Sequence, residues 1–381
     1  MKSNLIRFLL RFCIGGLLLI LTMDVQAAGP SAVAKSNMDL WPNSITSKTE
    51  FDTASRAEIL VFLSVYKEKF SAVVKPEDLG VKSINAASFD RWKARFKTSW
   101  LNTFLDAAKS CKNDNELGCN FKETDFEKLL AYSVKFTDSL PEKYNQWKEM
   151  SENFYRIYLR EQARLAALFP NPTSEILPLE DSEIVGDHFK DGEFLLTLDD
   201  GPTQNDDTAK YSALLRANGI SAFFFALGDA LETKLNKTSA ATLKNMYQGQ
   251  CLASHGYHHK SHQKWTDWKS SIDKTHDLIQ RITEKNSPVQ FRPPYGQSQE
   301  SLINYLASQH SSIFLWNIDS QDWQNSITPQ EVSVRVKKLM LLWRKGIILF
   351  HDVHKKAFTA IPDVIQLGKT AELHWIDCSV F

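Results

Sequence analysis

Two adjacent aspartates, Asp199 and Asp200, stand in the run TLDDGP (Thr197 to Pro202), at the end of an apolar stretch that reads as a buried strand. Side chains on a strand alternate between faces, so both carboxylates can serve one site only if the backbone bends there. Gly201 and Pro202 supply a bend. One carboxylate could then hold a metal while the other takes a proton. DDG also reads as a solvated turn, and the segments downstream weigh between the two.

The next polar cluster is CLASHGYHHKSH (Cys251 to His262). His255 and His259 are spaced i, i+4, which would put them on one side of a helical turn. Imidazole is the commonest neutral metal ligand, and two histidines with one carboxylate leave coordination room for water, the composition of a catalytic site. His258 and His262 repeat the spacing, Cys251 is a rival soft ligand, and the segment also reads as polar surface. Farther on come FRPPYG (Phe291 to Gly296), WNIDSQDW (Trp316 to Trp323) and IILFHD (Ile347 to Asp352). A rigid turn, a polar loop and a strand end would explain them singly; their fixed order argues for one site.

Together these segments make residues 194–352 resemble the polysaccharide deacetylases of the NodB-homology type, family 4 of the carbohydrate esterases. The resemblance implies an α/β fold, an irregular (β/α) barrel, here preceded by an all-α N-terminal domain. It implies that Asp199 is the general base, that Asp200, His255 and His259 bind a divalent metal, and that Arg292 orients the base. Tyr295 would lend its backbone amide to an oxyanion site. Asp319 would hold the catalytic histidine, His351 would be the general acid, and Trp323 and Leu349 would wall the acetyl pocket. Two positions depart from the family pattern: Leu198 replaces an aromatic, and Gly256 replaces a Ser or Thr whose hydroxyl braces the metal loop. Losing such a bond costs on the order of 1 kcal/mol, which predicts a softer loop and weaker metal binding.

The residue types suit amide hydrolysis on their own terms. A divalent metal acidifies water and polarises a carbonyl, with zinc the default choice. Asp199, ionised beside Arg292, can take the proton. His351 beside an acid stays protonated to serve the leaving amine.

The elements that must position these groups follow from periodicity. DDTAKYSALLRANG reads as a helix with Asp206 or Asp207 at its N-cap and Gly219 as its stop, and ISAFFFAL (Ile220 to Leu227) reads as a strand. Strand, turn, helix and strand make a βα unit, whose functional residues lie in the loops after strand C-termini. Upstream, helical spacing covers 56–70, 89–110 and 142–168, with Trp92, Trp100 and Trp147 as core rather than sugar-stacking residues. We expect residues 1–27 to be a signal peptide, cut after Ala27, 28–185 a helical domain, and 186–381 the deacetylase domain, with the boundary in FPNPTSEILPLEDSE. A retained anchor is the competing reading of the N-terminus; after cleavage no membrane span is expected.

Export to the periplasm or cell envelope permits disulfides. Cys111 with Cys119 is the preferred bridge, and Cys251 with Cys378 either pair or stay reduced and buried. With 45 basic and 45 acidic residues the chain carries no net charge, so nothing favours a nucleic-acid partner. Three functions remain. The first is a secreted metal-dependent deacetylase acting on N-acetylglucosamine units of peptidoglycan or a related glycan. The second is an O-acetyl polysaccharide esterase on the same scaffold, and the third a catalytically inactive glycan-binding protein.

Overall fold

A computed structural model describes residues 30–38, 41–70, 72–109, 111, 117–168 and 183–381. The expected signal peptide and all but the last residue of the expected boundary segment lie outside these residues.

The N-terminal half is helical: α1 (Lys48–Phe70), α2 (Pro76–Leu79), α3 (Ala86–Asp106), α4 (Phe126–Ser139) and α5 (Asn145–Leu168). Caps set the starts of two of them. Asn85 accepts from the Ser88 amide ahead of α3, and Asp125 accepts from the Lys128 amide ahead of α4. The helical stretches expected from spacing fall on α1, α3 and α5, while α4 is an addition. Five consecutive residues of α1, Ile59 to Leu63, are fully buried, because α1 is enclosed between α4 and α5 on one side and a barrel helix on the other. Trp92, Trp100 and Trp147 are core residues, as expected.

The C-terminal half alternates short strands with helices. The strands are β1 (Glu183–Ile184), β2 (Glu193–Asp199), β3 (Phe223–Ala226), β4 (Cys251–Ser254), β5 (Ile313–Phe314), β6 (Ile318–Asp319), β7 (Gly346–His351) and β8 (His374–Trp375). Between them lie α6 (Asp207–Ala217), α7 (Gly228–Lys237), α8 (Ala240–Met246), α9 (Trp268–Thr283), α10 (Glu300–Ser308), α11 (Pro329–Trp343) and α12 (Lys355–Thr370). All pairings are parallel, in the order β4-β3-β2-β7-β6, with β1 on β5 and β8 on the start of β2. Phe291 bridges β4 at Ser254 and β5 at Ile313. Residues 313–319 therefore join one edge of the sheet at their start and β7 at their end, which closes an irregular barrel.

Parallel strands buried on both faces read as near-continuous apolar runs, and EFLLTLD, FFFA and GIILFH do so. Leu195, Phe223, Phe225, Ile347 and Leu349 fill the barrel interior. Phe194, Leu196, Leu198, Phe224, Ile348 and Phe350 pack outward into the layer that holds the helices. Leu198, one of the two departures from the expected motif pattern, is therefore an outward packing residue.

One continuous apolar core runs from α1–α5 through α11 and α12 to the outer face of the sheet. Charge is buried in this seam too. The Glu58 carboxylate of α1 accepts from Lys338 Nζ of α11 at 2.7 Å, from Trp147 Nε1 at 2.8 Å and from the Tyr155 hydroxyl at 2.7 Å. Arg344, after α11, reaches both Asp52 and Asp191. Both candidate disulfides form, Cys111–Cys119 and Cys251–Cys378, the second tying the start of β4 to the C-terminal turn. Among the described residues no helix is long and apolar enough to cross a membrane.

Candidate active site

Asp199 is the last residue of β2, and its register partner across the sheet is His351, the last residue of β7. His255 follows β4 directly. Three parallel strands of one sheet, β2, β7 and β4, thus deliver an acid and two imidazoles to one pole of the barrel, at their C-terminal ends.

The bend that lets both aspartates face this pole begins at Asp200 itself, whose φ is +78°, one residue earlier than Gly201 and Pro202 suggested. Gly201 is still required, because a Cβ there would lie 2.1 Å from Asp352 Oδ2. Asp352 also accepts from the Thr208 hydroxyl at 2.7 Å, and Thr208 Oγ1 accepts from the Thr203 amide at 2.8 Å. The last residue of LFHD therefore secures the turn that carries Asp200.

Arg292 is fully buried. Its backbone N–H donates to Ser254 O, which places it beside β4. Its Nη1 donates to Asp199 Oδ1 at 2.7 Å and to Thr197 Oγ1 at 2.8 Å, and its other nitrogens donate to the Phe314 and Leu315 carbonyls. Asp199 Oδ1 is thereby engaged, leaving Oδ2 toward the histidines. Burial raises the Asp199 pKa to about 6, against the pull of Arg292, so the carboxylate is a base poised near neutral pH.

His255 Nδ1 lies 2.7 Å from Arg292 O. A carbonyl only accepts, so Nδ1 carries the proton and the Nε2 lone pair faces the acids. That nitrogen is 3.5 Å from Asp200 Oδ1, and His259 Nε2 is 3.6 Å from the same oxygen. Burial lowers the pKa of both imidazoles, with the neighbouring His259 adding to the effect on His255 and Asp200 opposing it at His259. Neutral rings make these separations ligand spacings rather than ion pairs. Tetrahedral bonds of about 2.0–2.1 Å put neighbouring donors about 3.3 Å apart, close to what is found. Asp200 Oδ1 is buried and accepts no hydrogen bond, and Asp200, His255 and His259 form a group able to hold a metal ion. These residues fit a divalent cation.

The rivals fall elsewhere: His258 pairs with Asp229 at 2.8 Å, Cys251 is in a disulfide, and His262 is buried behind the loop. The loop itself is irregular rather than a helical turn, since Gly256 at φ +80° reverses the chain after His255.

His351 corrects one expectation. Its partner is Asp322, not Asp319: Nδ1 lies 2.7 Å from Asp322 Oδ1, and the His351 amide donates to Asp322 Oδ2 at 2.9 Å. Gln321, at φ +57°, turns the chain so that the later acid faces β7. Asp319 instead accepts from the Gln321 amide and side chain, both at 2.8 Å. Burial alone would push the His351 pKa down, but Asp322, with Asp200 and Asp199 beyond it, outweighs burial and raises it to about 10. The imidazole is cationic at neutral pH.

Tyr295, at φ +64°, sets its ring 4.5 Å from His259. Trp323 is half-buried next to Asp322, while Leu349, 3% exposed, packs in the barrel interior beneath the pole. Asp322 and Asp352 are the residues that motif reading passed over; each is an acid of a quoted motif, Asp322 aimed by the left-handed turn at Gln321 and Asp352 by the end of β7.

Residues 187–311 match the family model described as polysaccharide deacetylase. Among curated proteins, a peptidoglycan-N-acetylglucosamine deacetylase of Bacillus cereus is 28% identical over 138 residues, 36% of this chain and 48% of that one. A bifunctional xylanase/xylan deacetylase of Cellvibrio japonicus is 27% identical over 160 residues, 41% of this chain and 22% of that one. The chain thus spans about half the length, or less, of these curated relatives. A crystal structure of a peptidoglycan N-acetylglucosamine deacetylase aligns with a TM-score of 0.45 at 23% identity, covering 52% of this chain and 91% of that one.

Proposed function

We propose that this chain, whose barrel carries a polysaccharide deacetylase domain of the NodB-homology type, is a secreted, metal-dependent hydrolase that removes N-acetyl groups from N-acetylglucosamine units of peptidoglycan or a related glycan. One observation carries the reading. A buried base, an arginine that occupies only one of its oxygens, an Asp/His/His group able to hold a metal ion and a histidine paired with an acid all meet at one end of the barrel.

Asp200, His255 and His259 would hold the cation, with zinc the default, and when bound it supplies polarisation of the acetyl carbonyl and acidification of water. Asp199 accepts a proton from the attacking water through Oδ2, while Arg292 fixes its Oδ1. As the water oxygen bonds to the acetyl carbon and the carbon–nitrogen bond breaks, His351 gives its Nε2 proton to the departing amine. Asp322 holds that imidazole from Nδ1 throughout. The Tyr295 amide is proposed to steady the oxyanion, with Trp323 and Leu349 beside the acetyl methyl. An amine leaves poorly unless protonated, so a histidine held cationic suits an amide better than an ester. Similarity to a xylan deacetylase keeps the O-acetyl esterase as second reading.

Two disulfides support passage through an oxidising compartment, consistent with a cleaved signal peptide and a periplasmic or cell-envelope location. The helical domain expected over 28–185 is proposed to dock on α11 and to end before β1, whose pairing with β5 puts residues 183–184 with the barrel. Incubation of the purified protein with peptidoglycan and chitin oligosaccharides, with and without chelator, tests the assignment by product mass. Chelator-sensitive loss of acetyl groups is expected. Acetate released from acetylated xylan alone would favour the esterase, and none from either substrate in metal-loaded protein would remove catalysis.

A further inference from the structure

The loop from His255 to His262 carries the metal-facing His259 without regular secondary structure, and at Gly256 it lacks the side chain that would stiffen it. That space is filled. A Cβ at Gly256 would lie 2.5 Å from His262 Cε1 and 2.7 Å from its Nε2, and His262 is fully buried. The His262 ring meets Phe291 edge-on at 5.4 Å and Trp265 at 5.5 Å, which fixes its plane.

The polar atoms of this ring are engaged in one consistent way. Nδ1 is 2.8 Å from Lys260 O and Nε2 is 3.0 Å from Ser271 Oγ. Lys260 O can only accept, so Nδ1 bears the proton and Nε2 must accept. The Ser271 hydroxyl therefore donates to Nε2, and its oxygen accepts from the Tyr257 amide at 2.7 Å. Ser271 belongs to α9 and its carbonyl accepts from Thr275, so the chain of bonds is rooted in a helix. It grips the loop at Tyr257 and at Lys260, the two residues that bracket His258 and His259.

We infer that His262 and Ser271 brace the metal-facing loop in place of the side chain missing at Gly256, acting as positioning residues for His259. The inference rests on the metal-site reading above, and it replaces the softer loop expected from Gly256 with one stiffened from behind.

Cobalt and zinc affinity, measured by competition with a chromophoric chelator, tests it, together with the visible spectrum of the cobalt protein as a readout of ligand geometry. Ser271→Ala leaves the Tyr257 amide without its acceptor, and His262→Phe keeps the ring volume but removes both nitrogens. Each is expected to weaken affinity on the order of tenfold and to alter the cobalt spectrum. The double variant should be no worse than the weaker single, as for residues acting as one unit. His262→Gln, which keeps an acceptor near Ser271, should recover most of the loss. Wild-type affinity and spectrum in Ser271→Ala, the variant least able to disturb folding, would overturn the brace while leaving the metal site standing. Failure of the wild-type protein to take up cobalt would overturn both.

Discussion

Charge is buried in two places in this molecule, and the two are built differently. At the seam between α1 and α11, the Glu58 carboxylate has donors on both oxygens and Lys338 is held by Glu58 and Ser151. At the pole of the barrel, Asp200 Oδ1 and Asp352 Oδ1 are buried with no hydrogen-bond partner, and Asp200, Gln321 and Tyr295 all sit at positive φ. Buried polar groups are normally satisfied, so a satisfied cluster reads as structure. Arg344 at the seam also has an unpartnered Nη1 and a φ of +65°, but its other nitrogens hold Asp52 and Asp191; the Asp200 oxygen instead faces two imidazoles that could share a cation with it, and reads as a place kept ready for one. The seam reads as structure, and the pole as the place where the proposed chemistry would occur.

That contrast can be broken by substitution, and the largest effect belongs to the pole. Asp199→Asn should lower turnover by about 10²–10⁴-fold, the usual worth of a positioned general base, while metal content stays near wild type; substantial residual activity would remove Asp199 from that role. At the seam, Lys338→Met leaves the buried Glu58 charge uncompensated, so denaturant unfolding should show a loss of about 3–5 kcal/mol with metal affinity unchanged. A seam variant that lost metal instead would erase the distinction between the two regions.

Asp322→Asn sharpens the pole. Burial pushes the His351 pKa down and Asp322 holds it up near 10, so the pair's contribution to stability is complete below the ordinary histidine pKa and is lost as pH rises through about 10. Activity of the wild-type protein should therefore appear as Asp199 ionises, at or below about 6 because a bound cation favours the carboxylate, and should decline at or below about 10 because the same cation disfavours the imidazolium. In Asp322→Asn the alkaline limb should fall below neutral pH, whereas Asp319→Asn should leave it in place. Equal shifts in the two would restore Asp319 as the partner. The smallest effect is expected for Asp200→Asn in metal-free protein: with no hydrogen bond to lose at Oδ1, its unfolding free energy should change by under about 1 kcal/mol or rise.

What the sequence disclosed follows the same division. Asp199, Asp200, His255 and His351 stand at or just after strand ends, with Arg292 following the bridge residue Phe291 and His259 on the loop after β4, and strand ends are legible from apolar runs and the breakers after them. The choice between Asp319 and Asp322 was not legible, because it turns on the left-handed backbone at Gln321, a residue type that does not announce such a turn. Nor was the brace at His262, whose spacing to His258 suggested a second ligand pair; only the packing of α9 behind the loop shows which way that ring faces. The seam was hidden for a different reason. Glu58 and Lys338 lie 280 residues apart, and each looks like an ordinary solvated charge on an amphipathic helix until the two helices meet. Helix α4 was readable in principle, since Phe126, Leu129, Leu130, Ser133 and Phe136 recur at helical spacing and are all buried.

Metal stoichiometry tests the central claim most directly. Equilibrium dialysis against zinc should load about one ion per chain in the wild-type protein and in Asp199→Asn, and well below that in His255→Ala and Asp200→Ala. Wild-type loading in those last two variants, or none in the wild-type protein, would contradict the assignment of Asp200, His255 and His259 as the cation's ligands.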